Sequence, residues 1–365
     1  MKVLRILRKI ALSLLAVLSL LVLLGFGYLW LNSAGEAQPV LADDGSHEAN
    51  GVSVIETLQV NGVSQSVILR GNSDNAPILL VVHGGPGTPA YPFFRARNTG
   101  LEEDFLVAYW EQRGAGLSFD PEAGTTDLTI DQMVEDTADV AQQLADQFGQ
   151  DKVFVLGHSW GGALAILTAH ANPEVFHKVF AVSPVIAQHE AELGSYDWLV
   201  TRAETNGDTA TLNALNDLAV PAQDASGADW IAYIGPQRSW LEASGSGTTH
   251  EPLSMLQLAG MLARTQEYTM GEKWRYLKGS RASMEQLWPQ IIGMDLREEV
   301  TTLDVPLILM QGAHDRVTTP ELTQSFMDGL TATDVTFHSF EGAAHSALFE
   351  APDAFNAIVR ENAEQ

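Results

Sequence analysis

The sequence contains no cysteine. Disulfides, thiolate nucleophiles and cysteine-based metal sites are therefore excluded, and the redox compartment leaves no trace in the composition. Positive charge is scarce as well: 20 Lys and Arg stand against 46 Asp and Glu, for a formal net charge of -26. Nucleic acid, whose phosphates require the opposite sign, is excluded as a partner on that balance. The acidic excess reads first as a solvated surface, with a preference for cationic substrates as the alternative. No internal repeat is visible. What is present is apolar bulk, 45% of 365 residues, which suits one large α/β domain with an inserted lid rather than several independent domains.

The basic residues that do occur are placed unevenly. Lys2, Arg5, Arg8 and Lys9 fill residues 1–9, and an uncharged apolar run follows over residues 10–31. At about 1.5 Å per helical residue that run spans a hydrocarbon core of roughly 30 Å. Tyr28 and Trp30 stand at its far end, where an interfacial aromatic belt would hold them, and Asp43, Asp44 and Glu48 come after it. The distribution predicts a single-pass anchor in the cytoplasmic membrane, the basic end inside and the body of the protein facing the periplasm or exterior, so that the lipid bilayer is one partner. The competing expectation is a signal peptide cleaved near Gly35-Glu36-Ala37, giving a secreted protein. Residues 32–50 are polar and unpatterned, as a short tether would be.

Beyond the tether the pattern is that of a mostly parallel sheet. Two β-rich runs over residues 52–70 break at Asn61-Gly62, the dipeptide best suited to a two-residue hairpin turn. Continuous apolar runs at 78–82, 105–110, 153–156, 179–182 and 307–310 read as strands buried on both faces, and 335–337 supplies another. Ile130, Met133, Val134, Thr137, Val140, Leu144 and Phe148 recur in steps of three and four, marking one buried helical face. Strands alternating with helices imply right-handed crossovers. The alternation stops over residues 186–296, where helical pieces and loops carry Trp198, Trp230, Trp240, Trp274 and Trp288, five of the eight tryptophans. The expected organisation is therefore a core in two parts, 51–185 and 297–365, with a helical cap at 186–296 over an apolar pocket.

The chemistry is carried by loops at strand ends. Gly157-His158-Ser159-Trp160-Gly161 lies between a strand and a helix start, the context a Gly-x-Ser-x-Gly nucleophile elbow needs, with Ser159 strained and its neighbours stripped of side chains. A serine hydroxyl needs a histidine to take its proton and an acid to fix the imidazole tautomer, in the chain order serine, acid, histidine. Asp315 follows the strand at 307–310 and His345 follows the strand containing Phe337, which makes them acid and base. His314 and His338 are the rival bases, and His83 and His158 read as local hydrogen-bonding residues. His83-Gly84-Gly85-Pro86-Gly87 ends the strand at 78–82 and is either a tight turn or an oxyanion loop, the donors being the N–H groups of Trp160 and of Gly84 or Gly85. This machinery calls for no metal and no organic cofactor.

These stretches, with Tyr109-Trp110-Glu111-Gln112-Arg113-Gly114-Ala115-Gly116-Leu117-Ser118, Gly312-Ala313-His314-Asp315 and Gly342-Ala343-Ala344-His345, resemble the proline iminopeptidase branch of the α/β-hydrolase superfamily. The resemblance spans residue 52 to the C-terminus. It implies an α/β-hydrolase fold and a serine aminopeptidase that removes an N-terminal residue, often proline, from short peptides, with lid carboxylates holding the free amine. Two departures stand out. The branch usually has Asp where Glu111 stands, and its lid tryptophan-glutamate signature is echoed only loosely by Trp240-Leu241-Glu242. Glu204 and Glu242, with Trp240, are the candidate substrate-binding residues. A carboxylesterase acting on small acyl esters and a catalytically silent binding protein remain the alternatives, and the oligomeric state is left open.

Overall fold

The computed structural model describes residues 2–41, 45–122, 128–332 and 334–363, with side chains from residue 5 onward; Asp43, Asp44 and the side chain of Lys2 lie outside the described residues. The chain opens with one continuous helix, α1 (Lys2–Leu31), so that the basic segment and the apolar run form a single rod. From Arg5 to Leu31 it is long and apolar enough to cross a membrane or to serve as a signal sequence, and none of its apolar window is buried inside the protein.

The core is an eight-stranded sheet in the order β1-β2-β4-β3-β5-β6-β8-β10. Its first two strands, β1 (Val52–Val60) and β2 (Val63–Gly71), form the expected antiparallel hairpin, with Val60 opposite Val63. Asn61 and Gly62 both take positive φ, +46° and +80°, which is the backbone a two-residue turn of this hand requires. The strands β3 (Ile78–Val82), β4 (Leu106–Glu111), β5 (Val153–His158), β6 (Phe176–Val182), β8 (Leu307–Gly312) and β10 (Val335–Phe340) are mutually parallel, and β2 joins them antiparallel through β4. Two short strands, β7 (Thr302–Leu303) and β9 (Thr331–Ala332), pair beside the main sheet.

Alternate residues of the central strands feed two cores. Ile78, Leu80 and Val82 face α3 (Ile130–Phe148), α4 (Trp160–Ala171) and α11 (Pro320–Gly329), whereas Leu79 and Val81 face α2 (Tyr91–Arg97), α12 (Ala347–Glu350) and α13 (Pro352–Ala363). Burial on both faces is why these strands read as unbroken apolar runs rather than alternating ones. Thr129 caps α3 by accepting the Gln132 N–H at 3.1 Å, and Gly149, in the left-handed conformation, ends it.

Between β6 and β8 the chain leaves the sheet and builds α5 (Gln188–Asn206), α6 (Thr209–Asp217), α7 (Gly227–Ala243), α8 (Met255–Arg264) and α9 (Met270–Gly293), then returns through α10 (Leu296–Glu299). A backbone bridge between Ala187 and Asp295 brings the exit and the return together. Ser226, Ser254 and Thr269 start α7, α8 and α9 with reciprocal capping boxes, so three of these helices have their first-turn N–H groups satisfied locally. Helix α9 is held against the core: Tyr276 donates to the Pro89 carbonyl at 3.0 Å, Ser283 donates to the Gly114 carbonyl at 2.9 Å, and the Thr88 and Ser280 hydroxyls are 2.9 Å apart.

Within segment 32–50, the expected tether, several residues are fastened to the body of the protein. The Lys273 ammonium donates to the Asn32 carbonyl, to Ser33 Oγ at 2.9 Å and to the Ala263 carbonyl at 2.9 Å, and the Gly35 N–H donates to the Gln266 carbonyl at 2.8 Å. The Gln38 carbonyl accepts from Ser53 Oγ and from Arg70, whose Nε is 3.1 Å from Glu102. The reason is that polar, unpatterned sequence leaves backbone groups free, and buried cations at Lys273 and Arg70 recruit their carbonyls.

Candidate active site

The Gly-x-Ser-x-Gly turn around Ser159 is built by backbone contacts that exclude side chains. Ser159 sits between β5 and α4 at φ 58° and ψ -123°, a conformation rare for a residue with a Cβ. Its N–H donates to the Val182 carbonyl at 2.9 Å and its own carbonyl accepts from Gly162 and Val185 at 2.9 and 3.2 Å, so the surrounding strands fix the turn. A Cβ on Gly157 would stand 2.0 Å from the Gly161 carbonyl oxygen, and a Cβ on Gly161 would stand 2.0 Å from that of Val82. The two glycines that flank the serine are thus required by the packing of β5, α4 and β3.

His345 and Asp315 meet across two strand-end loops, with Nδ1 of the imidazole 2.9 Å from Oδ2 of the carboxylate. Asp315 is fully buried and its remaining acceptor capacity is filled: Oδ1 accepts the N–H groups of Val317 and Thr318 at 2.8 and 3.0 Å, and Oδ2 also accepts from Thr318 Oγ1 at 3.0 Å and Gln311 Nε2 at 3.1 Å. Burial pushes this carboxyl upward, but the His345 partner and the two backbone donors outweigh it and hold Asp315 below the usual carboxylate range. Thr318 Oγ1 also stands 2.9 Å from the Ser183 carbonyl, which competes for its one proton, and 3.2 Å from His345 Nδ1. Thr318 and Gln311 are the contacts of Asp315 that sequence reasoning passed over. The spacing of Asp315 and Thr318, three apart in a loop where an aspartate accepts N–H groups two and three residues on, was the available signal.

The other histidines take supporting places. His83 is fully buried and neutral, lowered to about 4 by burial, with Nε2 accepting the Gln112 N–H at 3.1 Å and Nδ1 3.0 Å from the Gly84 carbonyl. Gln112 Nε2 returns a bond to the His83 carbonyl at 2.6 Å, which ties the glutamine-arginine-glycine segment to the glycine-rich turn. His158 stands against His345, ring centroids 4.9 Å apart, with Nε2 2.9 Å from the His345 carbonyl; burial first, and then the neighbouring imidazole, lowers it to about 3. His314 stacks on His250 at 4.0 Å, and His338 lies within β10, so neither rival occupies the place beside Asp315.

Ser159, His345, Gly84 and Gly85 line one cavity of about 520 Å³. Gly84 abuts the elbow so closely that a Cβ there would be 2.7 Å from the His158 carbonyl oxygen and 2.9 Å from Ser159 Cβ. Trp160 is the first residue of α4, a position whose N–H has no partner inside the helix. The cap contributes Gln188, Ile234, Arg238, Leu258, Met261, Met284 and Trp288 to the cavity wall, and the core contributes Phe93, Arg97, Val317 and Phe349. Arg238 faces Glu192, which is fully buried, with Nη1 3.0 Å from Oε2 and Nη2 bonded to the other carboxylate oxygen. Its charge is therefore compensated behind the wall.

The sequence-proposed cap residues fall elsewhere. Glu204 is exposed on α5, Glu242 accepts the Thr248 N–H at 2.6 Å, and Trp240 packs beside Leu199, Leu215 and Leu241; none of the three belongs to the cavity lining. The carboxylates that do line it are Glu251 and Glu350. Glu350 is half-buried and raised by burial, and its two oxygens accept the N–H groups of His250 at 2.5 Å and Ala344 at 2.9 Å, the second one residue before His345. Glu111, the departure from the branch pattern, is fully buried under α9, accepts from the Tyr268 hydroxyl and the Leu117 N–H, and is pushed up to about 7 by burial.

The family model described as the alpha/beta hydrolase fold matches residues 77–352. The chain is 27% identical over 316 residues to the probable aminopeptidase YbaC of Bacillus subtilis, covering 86% of this chain and 97% of that one. It is 24% identical over 310 residues to the proline iminopeptidase of Saccharolobus solfataricus, covering 81% and 87%. Among solved structures, the proline iminopeptidase of Mycobacterium smegmatis superposes with a TM-score of 0.58 at 20% identity, covering 84% of this chain and 96% of the other, a likeness of fold.

Proposed function

The chain belongs to the alpha/beta hydrolase fold family, and from that premise we propose that it is a serine hydrolase of the aminopeptidase kind, releasing N-terminal residues from small peptides or amides at the surface of a membrane that α1 anchors it to. The observation that carries this reading is the pairing of His345 Nδ1 with the buried Asp315 carboxylate at 2.9 Å, His345 itself lining the same cavity as Ser159.

In this mechanism the Asp315 carboxylate holds the Nδ1 proton of His345 and leaves Nε2 as the base. His345 takes the Ser159 proton as Oγ attacks the substrate carbonyl, and the N–H groups of Trp160 and of Gly84 or Gly85 receive the oxyanion. The imidazolium returns its proton to the leaving amine, the C–N bond breaks, and an acyl-enzyme remains on Ser159. His345 then deprotonates a water that attacks the ester, and the acid product leaves with Ser159 restored. The aminopeptidase assignment rests on the motif set around residues 83–87 and 109–118 and on relatives that carry that activity in their names.

A carboxylesterase is the second reading, and one observation favours it: much of the cavity wall, including Ile234, Leu258, Met261, Met284, Trp288 and Phe349, is apolar and would accept an acyl chain. A panel of proline and alanine arylamides beside short and long acyl esters separates the two. Hydrolysis of the arylamides that disappears in Ser159→Ala supports the peptidase, and ester cleavage with no arylamide cleavage replaces it by the esterase. Failure of the folded protein to react with a fluorophosphonate at Ser159 removes both and leaves a silent binding protein.

A further inference from the structure

Outside the N-terminal helix, five of the sixteen Lys and Arg fall within eighteen residues of one another. Residues 264–281 hold five Lys and Arg against two Glu, a local net charge of +3 in a chain of -26. This stretch is the α8–α9 corner to which the segment after α1 is fastened, through Lys273 to Asn32 and Ser33 and through Gln266 to Gly35. Only one residue separates the end of α1 at Leu31 from Ser33, so the corner cannot stray from the plane where α1 meets the headgroups.

The side chains around this corner have the composition of an interfacial surface. Met255 and Leu256 on α8 are 79% and 83% exposed, and Trp274 and Leu277 on α9 are 60% and 53% exposed. Lys278 lies over the Trp274 ring at 5.5 Å from its centroid, an aromatic-cation pair one helical turn apart. A cleft of about 230 Å³ beside Gln38 is lined by Arg95 of α2 and Arg264 of α8, together with Glu267, which accepts from the Tyr91 hydroxyl at 2.6 Å. Neither arginine has a carboxylate within ion-pair distance among the described residues, although Arg275 and Arg281 nearby are paired with Glu272 and Glu285. Exposed tryptophan, leucine and methionine on the helices that also carry these cations gain by lying in the headgroup layer, apolar groups at the acyl boundary and cations on phosphate.

We propose that the α2–α8–α9 corner docks on the anionic headgroup surface of the bilayer that α1 enters, with Arg95 and Arg264 receiving lipid phosphate and Met255, Leu256 and Trp274 entering the interface. The inference rests on the anchor reading of α1. Its consequence is that α8 becomes the wall shared by bilayer and active-site cavity, since Leu258 and Met261 of the same helix line that cavity.

The absence of cysteine permits a clean test on the full chain. Single substitutions Val17→Cys, Leu256→Cys, Trp274→Cys and Gln324→Cys are spin-labelled in nanodiscs of phosphatidylcholine alone or mixed equally with phosphatidylglycerol, and depth is read from accessibility to oxygen against a nickel chelate. Gln324 is an exposed position of α11, whose Leu322 and Phe326 pack on the sheet face opposite to that covered by α2. Expected are a deep probe at 17, an aqueous one at 324, and probes at 256 and 274 several-fold less accessible to nickel than the one at 324. Their shielding should increase with phosphatidylglycerol and lose that dependence in an Arg95→Gln, Arg264→Gln background. A deep probe at 17 with 256 and 274 as aqueous as 324 overturns the docking and leaves the anchor standing. Shielding that is indifferent to phosphatidylglycerol overturns the assignment to anionic lipid, and an aqueous probe at 17 removes the anchor reading and the docking together.

Discussion

Thr318 Oγ1 stands 3.0 Å from Asp315 Oδ2 and 3.2 Å from His345 Nδ1, and it donates its proton to only one acceptor at a time. The Ser183 carbonyl at 2.9 Å competes for the same proton, and whenever that proton points to Asp315 Oδ2 the hydroxyl braces the carboxylate. The acid of the proposed triad is therefore held from behind as well as by the imidazole.

Removing that brace should affect the chemistry more than binding. Thr318→Val keeps the shape and deletes the donor, and a hydrogen bond to a charged group contributes about 1.5–3 kcal/mol. The expected result is roughly a tenfold fall in kcat with KM nearly unchanged, whereas a purely structural role would lower thermal stability and leave the activity per folded molecule intact. Steady-state kinetics on a panel substrate, paired with thermal melting, distinguishes them.

Replacing the acid itself is the harsher test. Asp315→Asn preserves volume but presents an amide where His345 Nδ1–H needs an acceptor anion, which favours the wrong imidazole tautomer. The same exchange in a comparable triad lowers kcat about 10⁴-fold. Fluorophosphonate labelling of Ser159 should slow in parallel while circular dichroism stays unchanged.

Gly84→Ala probes the proposed oxyanion loop while keeping all three residues of the proposed triad. The new methyl would meet the His158 carbonyl and Ser159 Cβ at 2.7 and 2.9 Å, so the loop must move off the elbow. Withdrawing an oxyanion donor costs about 10²–10³-fold in kcat. Substrate turnover should fall by that order in a protein that still folds, and an unaltered rate would place the donors elsewhere.

Most of this architecture was legible in the sequence because it depends on local signals. Asn61-Gly62 reports its own backbone angles, the run at 78–82 reports burial on both faces, and the glycines around Ser159 report backbone approach. The cap residues were not legible for a converse reason. Which of Glu204, Glu242, Glu251 and Glu350 faces the cavity depends on how the cap packs over the core, and a carboxylate on a helix or in a loop carries no mark of the surface it will meet. The clamp on segment 32–50 was hidden likewise, since its partners Lys273 and Gln266 lie more than 200 residues downstream. Glu111 was visible as an anomaly, but only packing under α9 gives it a consequence.

That consequence is a pH dependence of stability. The Glu111 carboxyl is raised from 4.5 to about 7 in the folded protein, chiefly by burial. A raised carboxyl binds its proton more tightly when folded than when unfolded, so its contribution to stability is complete below pH 4.5 and is lost as pH climbs through about 7. The loss is on the order of 3 kcal/mol. Glu111→Gln keeps a neutral side chain at every pH, and chemical denaturation at pH 5 and pH 8 should show the variant gaining on the parent at the higher value. Equal differences at both pH values would mean that Glu111 ionises as an ordinary carboxylate.

The two cavity carboxylates should separate by role. Both oxygens of Glu350 are taken by N–H groups, one of them next to His345, so its charge is committed to the loop that carries the proposed base. Glu251 is exposed at the cavity edge, where its carboxylate remains open to a substrate ammonium. If the protein acts on free N-termini, Glu251→Gln should raise KM for aminoacyl arylamides by roughly threefold to tenfold, the range of a partly solvated ion pair. Turnover of an uncharged acyl ester should be untouched, because that ester offers the carboxylate nothing. Glu350→Gln should instead lower kcat for both substrates alike, since the loop at 344–346 serves each. Glu242→Gln and Glu204→Gln, outside the lining, should alter neither ratio, and selective loss of amine substrates in Glu242→Gln would mean that the cap rearranges to bring that side chain to the substrate.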